Sequence, residues 1–239
     1  MGNGMQRNYV SAGSLVVIEG QVSPGFEHDV LTSTLALQLG ATNKHDRFSG
    51  HKNWFETYLA MMSLFGYDVS HRDVRSIPLP EQGLVWDSLK VVLTRWVSAA
   101  AVEQVGHAFL QLRNGEARAP EVFQSFTRRL AMIDGTQAIS PPVCIAVNEP
   151  LASVSLQLIF VHSEPIVTQV FISFKASCAN SALAGVHEVT HENIVGNLEL
   201  ALVTAELEDA RFNRMRESLM KKLGTRRTDL VIRLSEVEQ

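Results

Sequence analysis

Residues 150–175 read PLASVSLQLIFVHSEPIVTQVFISFK, and the spacing of their apolar side chains decides the fold. Large apolar residues occupy alternate positions before and after Ser163-Glu164-Pro165, which is the side-chain period of a β-strand. Serine, glutamate and proline in succession are typical of a short turn. The stretch therefore predicts two long antiparallel strands joined at Glu164, with Lys175 as the only other acidic or basic side chain.

One face of this predicted hairpin is aliphatic or aromatic, and the other is partly serine and glutamine. The apolar face consists of Val154, Leu156, Leu158, Phe160, Val170, Ile172 and Phe174. The opposite face includes Ser153, Ser155, Gln157, Gln169 and Ser173. Strands of about ten to twelve residues with this alternation suit a transmembrane β-hairpin, because lipid lies on one side and water on the other. A central sheet with both faces covered also lacks charge, so the seven apolar residues are either membrane-facing candidates or core.

The rest of the chain is organised around this hairpin. Apolar residues recur every three to four positions before about residue 133 and every second position after residue 136. The expected elements, in chain order, are a strand at 14–18, helices within 21–133 with a weak strand at 69–77 among them, strands within 136–203, a helix over 205–223 and a terminal strand over 228–237.

This order predicts a single domain of the α+β class over residues 1–239. We expect an antiparallel sheet of long strands in the C-terminal half, with helical hairpins from the N-terminal half packed on it. The first and last strands are expected to join the same sheet, because no stretch between them has the composition of a flexible linker.

Charge is distributed unevenly along the chain. Lysine and arginine number 21 and aspartate and glutamate 25, for a net charge of −4. This balance speaks against a nucleic-acid partner, and 46% hydrophobic residues exclude a disordered chain. Only six charged side chains lie between residues 135 and 203. The low charge therefore belongs to the predicted β region and not to the chain as a whole.

Residues 187–191 read HEVTH and match the H-E-x-x-H pattern of zinc peptidases. On a helix, His187 and His191 would bind one Zn²⁺ and Glu188 would activate a water molecule. If the segment is a strand instead, the two histidines lie roughly 13 Å apart and cannot share a metal. A third ligand would have to come from Glu206, Glu208, Asp209 or Glu217. A zinc-dependent hydrolase is thus an alternative, while the remaining observations favour a protein without catalytic function.

The termini and cysteines indicate the compartment. The first ten residues contain no apolar run of the secretory type, so we expect synthesis in the cytoplasm and, for an external action, release by a non-classical route. The sequence has no run of about 18 apolar residues, so we expect no membrane-spanning helix. Cys144 and Cys178 allow one disulfide at most and are expected to be small buried side chains.

The order of elements resembles that of the Cyt-type cytolytic toxins, which wrap helical hairpins around a sheet of long strands. The resemblance covers most of the chain and rests on element order, so no site residue is transferred from it. It implies a protein that permeabilises membranes, with lipid or a protein as its partner and a homo-oligomer as its assembly. A structural or partner-binding protein is the other alternative, and no cofactor is expected besides the zinc of the hydrolase alternative.

Overall fold

The structure is a computed structural model that describes residues 7–80, 82–115, 144–148, 151–177 and 194–234. Eight strands and six helices occur in these parts of the chain. Their bounds, in chain order, are β1 (Arg7–Ser11), β2 (Ser14–Ile18), α1 (Pro24–Lys44), α2 (His51–Leu64), β3 (Tyr67–Ile77), α3 (Val85–Leu93), α4 (Ala99–Gly115), β4 (Cys144–Asn148), β5 (Leu151–Ser163), β6 (Ile166–Ser177), β7 (Ile194–Leu207), α5 (Asp209–Leu223), α6 (Arg226–Leu230) and β8 (Val231–Leu234).

The eight strands belong to one sheet in the order β3-β7-β6-β5-β2-β1-β8, with β4 paired to β5 beside that path. β1 and β4 run antiparallel to β2 and β5, respectively. Two residues join β5 to β6, and so short a connection allows only antiparallel strands. The predicted α+β class with a mainly antiparallel sheet of long strands is confirmed, and both terminal strands join that sheet.

The pairing of β2 with β5 is parallel, which departs from a purely antiparallel sheet. Ser14 lies opposite Gln157 and Ile18 lies opposite Val161. Parallel neighbours need a long connection, and the helices between β2 and β5 provide one. The two central strands of the sheet are therefore joined through the helical part of the chain.

Helix α1 begins directly after Ser23, which caps it. The Ser23 hydroxyl accepts a hydrogen bond from the Phe26 N–H at 3.2 Å, and Pro24 occupies the first turn. Leu35 and Leu37 are fully buried although they lie on different sides of the helix. Because α2 and α5 both pack against it, α1 is a central helix with little exposed surface.

Two strands of the N-terminal half differ from the sequence pattern. Residues 7–11 hold no apolar run, and β1 forms because Ala12 and Gly13, with φ of 45° and 102°, turn the chain back onto β2. β3 begins at Tyr67 and spans eleven residues instead of a weak strand at 69–77. Its side chains are exposed almost throughout, so it needs no apolar alternation and shows none.

The helix expected over 205–223 is wrong at its first residues, because it begins at Asp209. Ala205 and Leu207 are buried while Glu206 is exposed, which is the alternation of a strand, and β7 extends through them. The Leu207 N–H donates to the Pro165 carbonyl at 3.0 Å and keeps the end of β7 in the sheet.

The terminal strand expected over 228–237 is also wrong at its first residues. Arg226–Leu230 form α6, a short helix whose Asp229 N–H donates to the Thr225 carbonyl at 3.1 Å. The polar residues of this segment remain exposed in a helical turn, and the strand begins only where the apolar Val231 and Ile232 start. Residues 235–239 lie outside the described part of the chain.

The chain divides into two compact units. One comprises Met1–Asp73, Gln157–Val170 and Ala201–Arg233, and its helices are α1, α2, α5 and α6. The other comprises Val74–Leu156, Phe171–Leu200 and Leu234–Gln239, and in it Trp86 of α3 meets Phe109 of α4 edge to face, with ring centroids 5.5 Å apart. A single domain over 1–239 stays a prediction.

Candidate functional site

Most of the described apolar residues of the β5–β6 hairpin lie in the core, whereas Ile166 beside the tip is 39% exposed. The side chain of Val154 lies outside the described part, although its backbone belongs to β5. The other six membrane-facing candidates are each at most 5% exposed: Leu156, Leu158, Phe160, Val170, Ile172 and Phe174. In this structure, therefore, the apolar face of the hairpin is covered, and a membrane-facing role for it stays a prediction.

The opposite face of the hairpin, which mixes polar side chains with apolar ones such as Ile159 and Phe171, is also largely buried. Ser155, Gln157 and Gln169 are each at most 1% exposed. Burying an amide without a partner costs about 1–3 kcal/mol, so such groups require hydrogen bonds. The two faces of the hairpin thus differ in polarity, whereas both are largely buried.

A chain of hydrogen bonds joins the polar residues of this face. The Ser14 hydroxyl of β2 donates to Gln157 Oε1 at 2.8 Å, and Gln157 Nε2 donates to Gln169 Oε1 at 2.9 Å. The Tyr58 hydroxyl of α2 donates to the same Gln169 oxygen at 2.8 Å. Gln169 Nε2 has no hydrogen-bond partner among the described residues. We call these four residues, Ser14, Tyr58, Gln157 and Gln169, the buried polar cluster.

Burial determines the ionisation of the tyrosine in this cluster. Desolvation raises the pKa of Tyr58 far above its ordinary value, and the nearby Tyr67 raises it further. The hydroxyl is therefore neutral at physiological pH and available as a donor to Gln169. Its contact fixes α2 against the polar face of the hairpin.

Aromatic and cationic side chains hold the N-terminal part of α2. The Trp54 ring lies 5.4 Å from the Tyr58 ring, and the Arg47 guanidinium lies 4.8 Å from the Trp54 ring centroid. Trp54 Nε1 donates to the Thr42 hydroxyl of α1 at 3.0 Å, which joins the two helices. The His51 ring stacks on the Trp54 ring, with the two ring centroids 6.4 Å apart. The cover over the polar face is thus a packed pair of helices.

The environment of His51 makes this cover sensitive to acid. Burial and, to a lesser extent, the positive charge of Arg47 together lower the pKa of His51 to about 4. The imidazole is neutral at pH 7, and protonating it places a second positive charge beside Arg47. Acid therefore destabilises the start of α2.

The tip of the hairpin is held by its neighbours. The Ser23 N–H, at the start of α1, donates a hydrogen bond to the Glu164 carboxylate. The Glu19 N–H donates to the Val161 carbonyl at 2.8 Å, so the connection from β2 to α1 lies along the end of β5. A carboxylate at the positive end of a helix is favourable, and Glu164 is placed in that position by the turn.

The length and charge of the hairpin define what it can do. β5 and β6 contain 13 and 12 residues, while a transmembrane strand needs about 9–11. Apart from Lys175 near the end of β6 and His162 near the tip, neither strand contains an ionisable side chain. The two strands can therefore present one apolar and one hydrogen-bonding surface over the thickness of a bilayer.

The predicted zinc site lies outside the described residues. His187, Glu188 and His191 fall within 178–193, and the possibility of a helix or a strand there stays open. In the described parts of the chain, no three histidine, cysteine, aspartate or glutamate side chains are grouped to bind a metal. The four residues considered as a third ligand, Glu206, Glu208, Asp209 and Glu217, are all exposed. The zinc hydrolase stays a prediction.

Nothing in the sequence indicates the role of the Tyr58 hydroxyl. The pattern of α2 cannot reveal that the Tyr58 hydroxyl donates a hydrogen bond to Gln169 of β6, more than one hundred positions away in the sequence. Gln157 and Gln169 stand out in the sequence as polar residues of apolar strands. Their mutual hydrogen bond, like the contacts of Tyr58 and Ser14, is seen only in the tertiary structure.

Of the helices in the described ranges, none combines the length and the apolar character that crossing a bilayer requires.

No protein-family model matches this chain, and no curated protein matches it either. Two solved structures are similar in fold. The activated Cyt2Ba monomer from Bacillus thuringiensis subsp. israelensis has a TM-score of 0.45 and 11% identity, with 81% of this chain and 97% of that chain covered. A delta-endotoxin has a TM-score of 0.44 and 9% identity, with 83% and 84% covered. The predicted resemblance to Cyt-type toxins is confirmed, and at these values it concerns the fold alone.

Proposed function

We propose that this protein permeabilises membranes by releasing the β5–β6 hairpin and inserting it into a bilayer. In the inserted state the face of Leu158 and Phe160 meets lipid, and the face of Gln157 and Gln169 meets water. The observation that carries the proposal is the burial of Gln157 and Gln169 on one face of a hairpin whose other face is apolar.

The buried polar cluster is unfavourable in a sheet that stays covered. A network of buried amides is often no more stable than apolar residues of the same shape, and one amide N–H of Gln169 makes no hydrogen bond among the described residues. In an inserted hairpin the same face lines a wet lumen, where water satisfies each amide. The polar face thus has a use in the membrane that it lacks in the folded state.

The charge pattern supports the same proposal. A charged side chain on the lipid face of a transmembrane strand costs about 2–4 kcal/mol near the midplane. Neither Leu151–His162 nor Ile166–Phe174 contains an acidic or a basic residue apart from His162 itself, and Glu164 lies at the tip. The strands can therefore enter hydrocarbon without such a cost.

One hairpin is too small to form a pore. Transmembrane barrels have about eight strands or more, so at least four copies would each contribute two strands. The assembled form is accordingly a homo-oligomer, and lipid is its partner.

Dye release from vesicles tests the proposal. The purified chain is added to vesicles of phosphatidylcholine, alone or mixed with phosphatidylserine, that contain a self-quenched dye. We expect release whose rate rises more steeply than linearly with protein concentration, because several copies form one pore. Intact vesicles at every lipid composition and pH would contradict the proposal and favour a partner-binding protein.

A further inference from the structure

Positive charge is concentrated in residues 209–233, which form α5, α6 and the start of β8. This stretch contains eight basic and three acidic side chains, a net charge of +5, whereas the whole chain has −4 and its other residues therefore carry −9. We propose that the exposed face of α5 docks on the anionic headgroups of a lipid bilayer. The docking rests on the proposed function only in its choice of partner, since a bilayer is the surface that the hairpin has to reach.

The packing of α5 turns several of its cations toward solvent. Three apolar side chains of the helix are buried and form one stripe along it: Phe212, Leu219 and Leu223. Because successive residues of a helix are rotated by about 100°, Arg214 and Lys221 project from the side opposite to that stripe, with Lys222 beside them. All three are exposed. We call Arg214, Lys221 and Lys222 the cationic face.

The charges of the cationic face are not compensated by the described residues. The two other arginines of α5 have partners, because Arg216 binds Asp29 and Arg211 lies 3.5 Å from Glu208. The three side chains of the cationic face form no ion pair or hydrogen bond within the described parts of the chain. Each lysine or arginine close to an anionic lipid surface strengthens binding about fivefold, so the three together supply about a hundredfold.

Helix α5 begins beside the tip of the β5–β6 hairpin. The Leu207 N–H, two residues before the helix, donates to the Pro165 carbonyl at 3.0 Å. The helix has 15 residues, and it is therefore about 22 Å long. A bilayer bound to the cationic face thus lies within about one helix length of the hairpin tip.

Sedimentation with vesicles measures the docking separately from permeabilisation. The chain is mixed with vesicles of phosphatidylcholine, with or without phosphatidylserine, at about 0.1 M and about 1 M salt, where the Debye length is about 10 Å and about 3 Å. We expect binding that requires phosphatidylserine and is largely lost at the higher salt concentration. Equal binding to both kinds of vesicle, or binding that salt does not weaken, would overturn the proposal.

The same vesicles distinguish this proposal from the proposed function. Dye release from phosphatidylcholine vesicles without preferential binding to phosphatidylserine would remove the docking and leave the permeabilisation. Salt-sensitive binding to phosphatidylserine without dye release would remove the permeabilisation and leave the docking.

Two variants of identical net charge locate the docking surface. The first removes the cationic face: Arg214→Gln/Lys221→Gln/Lys222→Gln. The control removes three exposed cations elsewhere in the described chain: Lys44→Gln/Lys52→Gln/Arg95→Gln. Both change the net charge from −4 to −7. The first should weaken binding to phosphatidylserine vesicles about a hundredfold and the control less than about fivefold. Equal weakening would show that net charge determines binding, and it would overturn the assignment to α5.

A variant that gains affinity guards against loss of binding through misfolding. Glu217 is exposed and lies about one helical turn from both Arg214 and Lys221. Glu217→Gln removes the repulsion between this carboxylate and the anionic headgroups, so it should tighten binding about threefold or more. Unchanged or weaker binding would contradict docking through this side of α5.

A short DNA duplex tests the other class of polyanion that a cationic surface can bind. It is added to chain already bound to phosphatidylserine vesicles, at an equal concentration of phosphate groups. We expect the chain to remain on the vesicles. Displacement of the original chain by the duplex would identify a nucleic acid as the better partner and overturn the proposal.

Discussion

Hairpin β5–β6 and strand β3 belong to one sheet, yet they have opposite relations to solvent. The hairpin is buried on both faces, and its acidic residue lies at the tip. β3 is exposed on both faces, and two residues of each charge lie along it. Charge content, more than strand propensity, therefore indicates which strands of this sheet are covered. The polar face of the hairpin is the exception among the covered surfaces.

The largest expected difference between the two regions is in core packing. Leu158→Ala should lower the free energy of unfolding by about 3 kcal/mol, because it leaves a cavity in a fully buried site. Val74→Ala on β3 should change it by less than about 0.5 kcal/mol, because that side chain is more than half exposed. Urea denaturation measures both, and similar losses for the two variants would remove the basis of the comparison.

Acid should act on the cover of the hairpin through His51. Between pH 6.5 and about 4 the unfolded chain binds a proton at His51 that the folded chain does not, so stability falls as the pH falls through this window. The partly exposed imidazole should account for about 2 kcal/mol of this loss. Above pH 6.5 the contribution of His51 to stability is constant.

Denaturation of the original chain and of His51→Gln, at pH 7 and pH 4, measures this contribution. The variant should lose less stability than the original chain by the amount assigned to His51. An identical loss in both proteins would show that the imidazole is not the acid-sensitive group.

A buried ion pair between two helices and an exposed ion pair of β3 should differ in the same sense as the apolar residues. Arg216 of α5 binds the buried Asp29 of α1 through two hydrogen bonds, one of them of 2.9 Å from Nε. Arg216→Met leaves that carboxylate buried without its guanidinium and should cost about 1–2 kcal/mol. Arg72→Met breaks the exposed ion pair between Arg72 of β3 and Glu56 of α2. This change should lower the free energy of unfolding by less than about 0.5 kcal/mol. Thermal unfolding of the two variants provides the comparison, and a reversed order would contradict it.

A small change in stability should accompany a large change in activity. Tyr58→Phe alone removes one hydrogen bond to Gln169 and should cost about 1 kcal/mol. The quadruple variant Ser14→Ala/Tyr58→Phe/Gln157→Met/Gln169→Met removes donors and acceptors together and should unfold within about 1 kcal/mol of the original chain. Its dye release should nevertheless be strongly reduced, because the lumen face has become apolar. Full release by a stable quadruple variant would show that the buried polar cluster has no role in permeabilisation.

Much of this sheet can be predicted from the sequence, because period and charge are local properties. The alternation around Glu164 specifies the hairpin, and Ser23 with Pro24 specifies the start of α1. β1 cannot be predicted from its apolar content, since it forms through the turn at Ala12 and Gly13. The strand end at Leu207 depends on a hydrogen bond to Pro165, which lies far away in sequence.

The candidate site is predictable only in part, for the same physical reason. The two faces of the hairpin follow from period two, and the polar residues at 157 and 169 are visible in it. The partner of Gln169 on α2 follows from helix packing, which the sequence pattern does not specify. Burial of the polar face is likewise a tertiary property, because period two alone allows it to meet either solvent or a helix.

A reversible lock on the hairpin tests most directly whether it must leave the sheet. Val16→Cys/Ile159→Cys, in a chain whose Cys144 and Cys178 are replaced by serine, joins β2 to β5 at residues that lie opposite each other. The control pair Asn8→Cys/Val17→Cys joins β1 to β2 and leaves the hairpin free. We expect the oxidised lock to release no dye. The reduced form should release dye at the rate of the parent chain without the added cysteines, and the control should release dye in both states. Equal release by the oxidised and reduced forms of the lock would contradict insertion of the hairpin.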